Sequence, residues 1–129
     1  MPTQPTIAVA GTSTPQELMQ TFVRHVHAQD LDALLALYEP DAVFQPEPGV
    51  VFTGQGEIRV ALEGMLGLQP TMVVNPGQVL VAGDIALVAN DWTMTGTAPD
   101  GSAVTQGGHS ADVVHRQPDG TWRVLIDRP

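Results

Sequence analysis

Two aspartates, Asp112 and Asp127, are the residues of this chain best suited to moving a proton. Asp112 lies in the run His109-Ser110-Ala111-Asp112-Val113-Val114-His115, and Asp127 closes the run Trp122-Arg123-Val124-Leu125-Ile126-Asp127. Side chains alternate between the faces of a strand, so Asp112 shares a face with Ser110, and Asp127 is expected to share one with Leu125. If that face looks onto hydrocarbon, the carboxyl groups are poorly solvated. Their pKa then rises, and they hold or accept a proton near neutral pH. A pair of this kind can divide the roles of acid and base. The alternative is a surface strand position for Asp112, and for Asp127 a solvated strand end paired with Arg123 or Arg128.

Around this pair stand residues fit to hold a substrate. Asn90, Trp92 and Met94 share one face of a long strand, a mixed polar and apolar wall. Tyr38 and Trp92 each bury a ring while keeping one hydrogen-bond donor. Phe22, Ser110 and Leu125 complete the set, and His109 joins it if the Gly107-Gly108 bend reverses the alternation that otherwise puts it on the opposite face. The histidines do not make a metal site. His25 and His27 stand two apart on a helix and diverge, and His109 and His115 are about 20 Å apart along a strand. No His-Glu-x-x-His, glycine-rich phosphate loop or Gly-x-Ser-x-Gly elbow occurs. Neither metal nor organic cofactor is therefore expected.

The elements that position these groups are legible. Residues 1–13 read as a loose tail, and residues 14–129 as one domain. Thr14-Pro15-Gln16-Glu17 opens a helix with the elements of a capping box, and Leu18, Phe22 and Val26 make its apolar stripe. Asp30 caps a second helix carrying Leu31, Leu34, Leu35 and Tyr38, stopped by Pro40. Short strands follow at 41–44 and 50–53. A third helix, about Gln55 to Leu66, ends at Gly67. The rest reads as strands at 72–74, 78–82, 85–97, 102–116 and 121–127, joined by Asn75-Pro76-Gly77, Gly83-Asp84, Pro99-Asp100-Gly101 and Pro118-Asp119-Gly120. Gly107-Gly108 inside a long strand predicts a bulge or bend. Helices followed by hairpin strands predict an α+β fold, a curved antiparallel sheet wrapped around three N-terminal helices to leave a cone-shaped pocket.

Composition narrows the partners. The 129 residues carry a net charge of −9, and all five basic residues are arginine. Such acidity repels phosphate backbones and anionic lipid, so neither nucleic acid nor a membrane surface is expected as partner. Cysteine is absent, which excludes disulfides and thiolate chemistry. The apolar start Ile7-Ala8-Val9-Ala10 is too short for a signal peptide or membrane span, and a cytoplasmic location is the expectation.

In combination the motifs resemble the nuclear-transport-factor-2-like superfamily, α+β cone proteins that include ketosteroid isomerases and SnoaL-type polyketide cyclases. They are Tyr38-x-Pro40-Asp41-Ala42-Val43, Thr53-Gly54 before Ile58-Arg59, Gly83-Asp84-x-Ala86-Leu87-Val88, Trp92, Asp100-Gly101, Ser110-Ala111-Asp112-Val113 and Asp119-Gly120-x-Trp122-Arg123 with Ile126-Asp127. The pattern is most similar to the branch grouped under the SgcJ/EcaC name. The resemblance implies a homodimer formed through the convex sheet face. It also implies a pocket for a small hydrophobic molecule, used by a cofactor-free isomerase or cyclase acting on a lipophilic carbonyl compound. The alternative is a non-catalytic module that binds a hydrophobic metabolite or assists a partner enzyme. Of the three ketosteroid isomerase roles, the tyrosine donor falls on Phe22 and the general base on Pro46, with Glu47 one residue away. Only the protonated aspartate is kept, at Asp112, so steroid isomerisation itself is not implied.

Overall fold

The computed structural model describes residues 11–129, and the first ten residues of the expected tail lie outside them. Its last residues are not loose. Thr12 is buried and pairs with Trp122 through reciprocal backbone hydrogen bonds of 2.7 and 3.1 Å.

Helix α1 (Pro15–His27) starts at proline and turns Leu18, Phe22 and Val26 inward. Thr14 caps it without a side-chain bond; the Ser13 hydroxyl reaches Glu17 instead. Helix α2 (Leu31–Ala36) is capped by Asp30, whose carboxylate accepts from the Ala33 N–H at 3.1 Å. It ends before Tyr38, which begins strand β1 (Tyr38–Glu47). Strand β1 runs through both Pro40 and Pro46, so proline here does not stop an element but limits its ladder. Strand β2 (Val50–Thr53) and helix α3 (Gly54–Leu66) follow, and Ile58 and Leu62 of α3 are fully buried.

Four further strands complete one sheet: β3 (Thr71–Ala82), β4 (Ile85–Thr97), β5 (Ala103–Arg116) and β6 (Trp122–Asp127). Their order is β2-β1-β6-β5-β4-β3. The curved, unclosed sheet folds over the three helices as expected, with one departure. It is not wholly antiparallel, because β1 lies parallel to β6. First and last strands thus meet in the middle of the sheet.

Four irregularities bend the ladder, one of them between Phe44 and Glu47 where β1 meets β2, and none is at Gly107-Gly108. The two strands expected around Asn75-Pro76-Gly77 are one strand with a register shift between Pro76 and Val79. Proline has no N–H for the ladder, and the Gly77 N–H turns to the Asn90 Oδ1 at 3.3 Å instead. Within β6, Val114 pairs with Val124 while Val113 pairs with Ile126, leaving Leu125 as an extra residue. Strand β1 shifts against β6 between Tyr38 and Val43. The β4–β5 pairing is unbroken through Gly107 and Gly108. These glycines serve close approach: a Cβ on Gly108 would stand 3.4 Å from the Trp92 Nε1, so the indole lies over a residue with no side chain.

The Gly77→Ala variant tests the bulge. Its methyl would meet the Ala89 carbonyl of the neighbouring strand, a backbone atom that cannot swing aside. Urea unfolding should register a loss of about 1–3 kcal/mol, whereas Gly83→Ala, with nothing near its Cβ, should lose only what its positive φ imposes.

Candidate active site

The inner face of the sheet and the three helices enclose a cavity of about 290 Å³. Its walls are hydrocarbon: Leu18, Met19 and Phe22 from α1, Ala61, Leu62 and Met65 from α3, and Phe44, Met72, Trp92 and Met94 from the sheet. Phe44 and Phe52 stack with centroids 6.1 Å apart. Against this wall stand three polar groups close to one another, Tyr38, Asp112 and Asp127.

Each is placed by a different strand. Tyr38 is 1% exposed and packs edge-on to Phe22. The Gln55 side chain of α3 donates to the Tyr38 carbonyl at 3.0 Å, tying its backbone to the helix. The phenol donates to the Asp127 Oδ2 at 2.5 Å, across 89 residues of chain. Asp112, 4% exposed, faces inward between Ser110 and Val114 and accepts the Arg128 N–H at 3.0 Å. The Arg128 carbonyl in turn accepts from the Ala111 N–H at 2.8 Å, so the chain end is fixed against β5 on both sides of this contact. Asp127 is half-buried and lines the cavity.

Burial, then the charge of Asp127 and a hydrogen bond to it, pushes the Asp112 carboxyl up to about 9. Burial also raises Asp127, but bonds from Tyr38 and Asp112 hold that rise back. The Tyr38 phenol is pushed well above its ordinary value by burial and by Asp127, so it stays a donor. At neutral pH Asp112 therefore keeps its proton beside Asp127. The pair titrates as a unit, poised to accept one proton and give another.

Of the residues expected at the site, Phe22, Tyr38, Trp92, Met94, Ser110, Asp112 and Asp127 line the cavity. Three do not. Leu125 is the bulged residue of β6, so alternation fails there and Val124 lines the cavity in its stead. His109 lies on the outer face, highly exposed and paired with Asp91 across the strands. Asn90 faces inward and is buried, but it is occupied by structure: it accepts from Gly77, and its backbone N–H and carbonyl both bond the Ser110 hydroxyl. Its Nδ2 has no partner among the described residues. Glu47, weighed as a displaced base, is exposed at the end of β1, while its neighbour Pro46 lines the cavity. Sequence reasoning missed Gln106 and Pro129 at the wall. It also missed the direct Tyr38–Asp127 bond, for which no local signal exists. Among the described residues no cluster of His, Cys, Asp and Glu is arranged for a metal ion, and no helix is long and apolar enough to cross a membrane.

A cone of this kind with a polar floor defines a class of small α+β pocket proteins, and comparison with known proteins agrees. The family model described as "SnoaL-like domain" matches residues 19–124. The chain belongs to that family. A nuclear-transport-factor-2-like superfamily protein from Salmonella enterica serovar Typhimurium is similar at 20% identity and TM-score 0.76, over 88% of this chain and 84% of that one. A ketosteroid isomerase-like protein from Erwinia carotovora atroseptica is similar at 15% identity and TM-score 0.74, over 88% and 95%. An NTF2-like protein with a cystatin-like fold from Novosphingobium aromaticivorans matches at 18% identity and TM-score 0.72, over 87% and 75%. At such identities these three likenesses show the fold alone. No curated protein sequence matches the chain.

The raised Asp112 carboxyl has a measurable consequence. Its folded pKa, about 9, lies above its unfolded value near 3.8. Between the two the folded chain binds the extra proton, so stability is greatest at the acid end and falls as pH rises, by up to about 1.4 kcal/mol per pH unit. Asp112→Asn keeps both hydrogen bonds without the titration. In thermal melts across pH 5–9 (about the window between the two values) its stability should exceed that of the wild type increasingly toward the alkaline end.

Proposed function

We propose that the protein is a cofactor-free acid–base enzyme acting on an uncharged, lipophilic carbonyl compound, in the manner of an isomerase or cyclase. The observation that carries this reading is that Asp112 and Asp127 stand together at the wall of an apolar cavity, with Tyr38 on Asp127 and burial raising both carboxyls. A substrate carbonyl oxygen set beside Asp112 receives its proton. The Asp127 carboxylate takes the proton from the adjacent carbon. The C–H bonding pair becomes the new C=C bond, and the carbonyl π pair becomes the enol O–H bond. One proton enters the pair and one leaves, so its protonation count is unchanged and no other reagent is required. Return of the proton at a different carbon completes an isomerisation. Phe22, Trp92 and the methionine side chains supply the hydrocarbon contact that holds the ring system.

The assay is proton exchange. With 2-tetralone in heavy water, the wild type should speed deuterium entry at the carbon next to the carbonyl, and Asp127→Asn should reduce that rate by about 10²–10⁴-fold while leaving ketone affinity within a small factor. Tight ketone binding with no exchange above buffer would reject the enzyme reading. It would favour the second one, a module that retains a hydrophobic metabolite, to which the adaptable wall of Met19, Met65, Met72 and Met94 is suited.

The motifs quoted above support the SgcJ/EcaC branch as the narrower family. We further propose a homodimer through the outer sheet face. Leu80, Leu87, Val113 and Ile126 are cross-strand neighbours there. Leu80, Leu87 and Ile126 are 52%, 42% and 40% exposed in the single chain. An apolar row on an open sheet calls for cover. Leu87→Asp should convert a dimer to a monomer in analytical ultracentrifugation, and an unchanged sedimentation coefficient would overturn the assignment.

A further inference from the structure

Among the described residues, no cationic side chain lines the cavity beside its two carboxyl groups. The lining residues include two carboxyl groups and no lysine, arginine or histidine. Arg128 touches Asp112 only through its backbone N–H, and its side chain is exposed. Among the described residues, the elements around the cavity bring no cationic side chain to its lining. Helix α1 contributes Leu18, Met19 and Phe22, and α3 contributes Ala61, Leu62 and Met65. The inner face of β4 supplies Trp92 and Met94, and β1 supplies only the Tyr38 phenol as an ionisable group. Two hydrogen bonds, from Tyr38 and Asp112, are all that offset the negative charge on Asp127.

The half-buried Asp127 carboxylate has already lost part of its hydration when the chain folds. A cation brought to it need displace only the remainder and lose its own. Aromatic faces add to the attraction, and Phe22, Phe44, Phe52 and Trp92 stand around the same space. The acidic chain as a whole favours approach of a positive ligand and opposes that of a negative one.

We infer that the cavity is a binding site for lipophilic amines: the protonated nitrogen seats on the Asp112–Asp127 pair, the hydrocarbon body lies against Phe22, Trp92 and the methionine wall, and the matching carboxylic acid is rejected. This goes beyond the carbonyl reading, with which it shares only the premise that the pair opens onto the cavity. The ammonium donates to Asp127, a contact that neither a ketone nor an acid anion can make.

Three probes of like size separate the possibilities: 1-naphthylmethylamine, 1-naphthylmethanol and 1-naphthoate, titrated calorimetrically into the full chain at pH about 7, where the amine is charged. The amine should bind about tenfold or more tightly than the alcohol, and the naphthoate should show no measurable binding. In Asp112→Asn/Asp127→Asn the amine should fall to the level of the alcohol, whose own affinity is kept. The wild type supplies a second test without substitution. As pH falls and the pair takes its second proton, the advantage of the amine should vanish while the amine remains charged. Amine and alcohol binding alike, or a preference that survives in the double variant, would overturn the inference and leave the carbonyl reading standing. Absence of binding by all three probes, with 2-tetralone also unbound, would overturn both.

Discussion

The hydrogen bond from Tyr38 to Asp127 joins the first strand of the sheet to the last, and the site exists only where those strands lie side by side. A carboxylate removed from water is costly unless hydrogen bonds take the place of hydration. Asp127 finds them in the Tyr38 phenol and the Asp112 carboxyl, and Asp112 finds its own in the Arg128 N–H. None of these partners is near in sequence to the group it serves, except across the β5–β6 pairing. They come together because β6 is inserted between β1 and β5. A sheet with β1 elsewhere would leave a buried carboxylate short of a donor, so the polar wall and the strand order specify each other.

The same arrangement explains how one small domain separates an apolar binding space from a reactive spot. Carboxyl groups gather on the inner faces of β5 and β6, while α1 and α3 meet them with leucine, phenylalanine and methionine. The hydrocarbon wall makes the carboxyls basic enough to hold a proton at neutral pH. It also selects ligands that are mainly apolar. Bulges set the aim: strict alternation from the inward Val124 would turn Ile126 inward and Asp127 outward, and the bulge at Leu125 reverses the two. Gly108 likewise leaves room for the Trp92 indole to lie along the wall instead of standing into the cavity. The scaffold is common to many proteins, and its chemistry is set by the few groups at the wall.

Much of this was legible in the chain itself. The helical stripe of Leu18, Phe22 and Val26, the cap at Asp30, the strand alternation from Ile85 to Arg116 and the turn residues at Gly83, Gly101 and Gly120 are local signals, fixed by side-chain period and backbone preference. They place Ser110 and Asp112 on one face and Trp92 and Met94 on another strand's matching face. That is enough to foresee an α+β cone with acid groups toward its interior. What went astray were positions where pairing between strands overrides local preference. Asn75-Pro76-Gly77 reads as a turn yet is a bulge clamped by Asn90, and Gly107-Gly108 reads as a bulge yet serves close packing. Leu125 and Val124 exchange faces for the same reason.

The sequence by itself determined which segments are helix or strand and which faces are apolar, because these follow from neighbours three or four residues apart on a helix and two apart on a strand. Only the tertiary structure decided that β1 runs parallel to β6, that Tyr38 belongs to a strand and bonds Asp127, and that burial raises both Asp112 and Asp127. Those outcomes depend on distances between groups up to 89 residues apart and on how far packing excludes water from each carboxyl. Neither quantity is written in any local stretch of the chain.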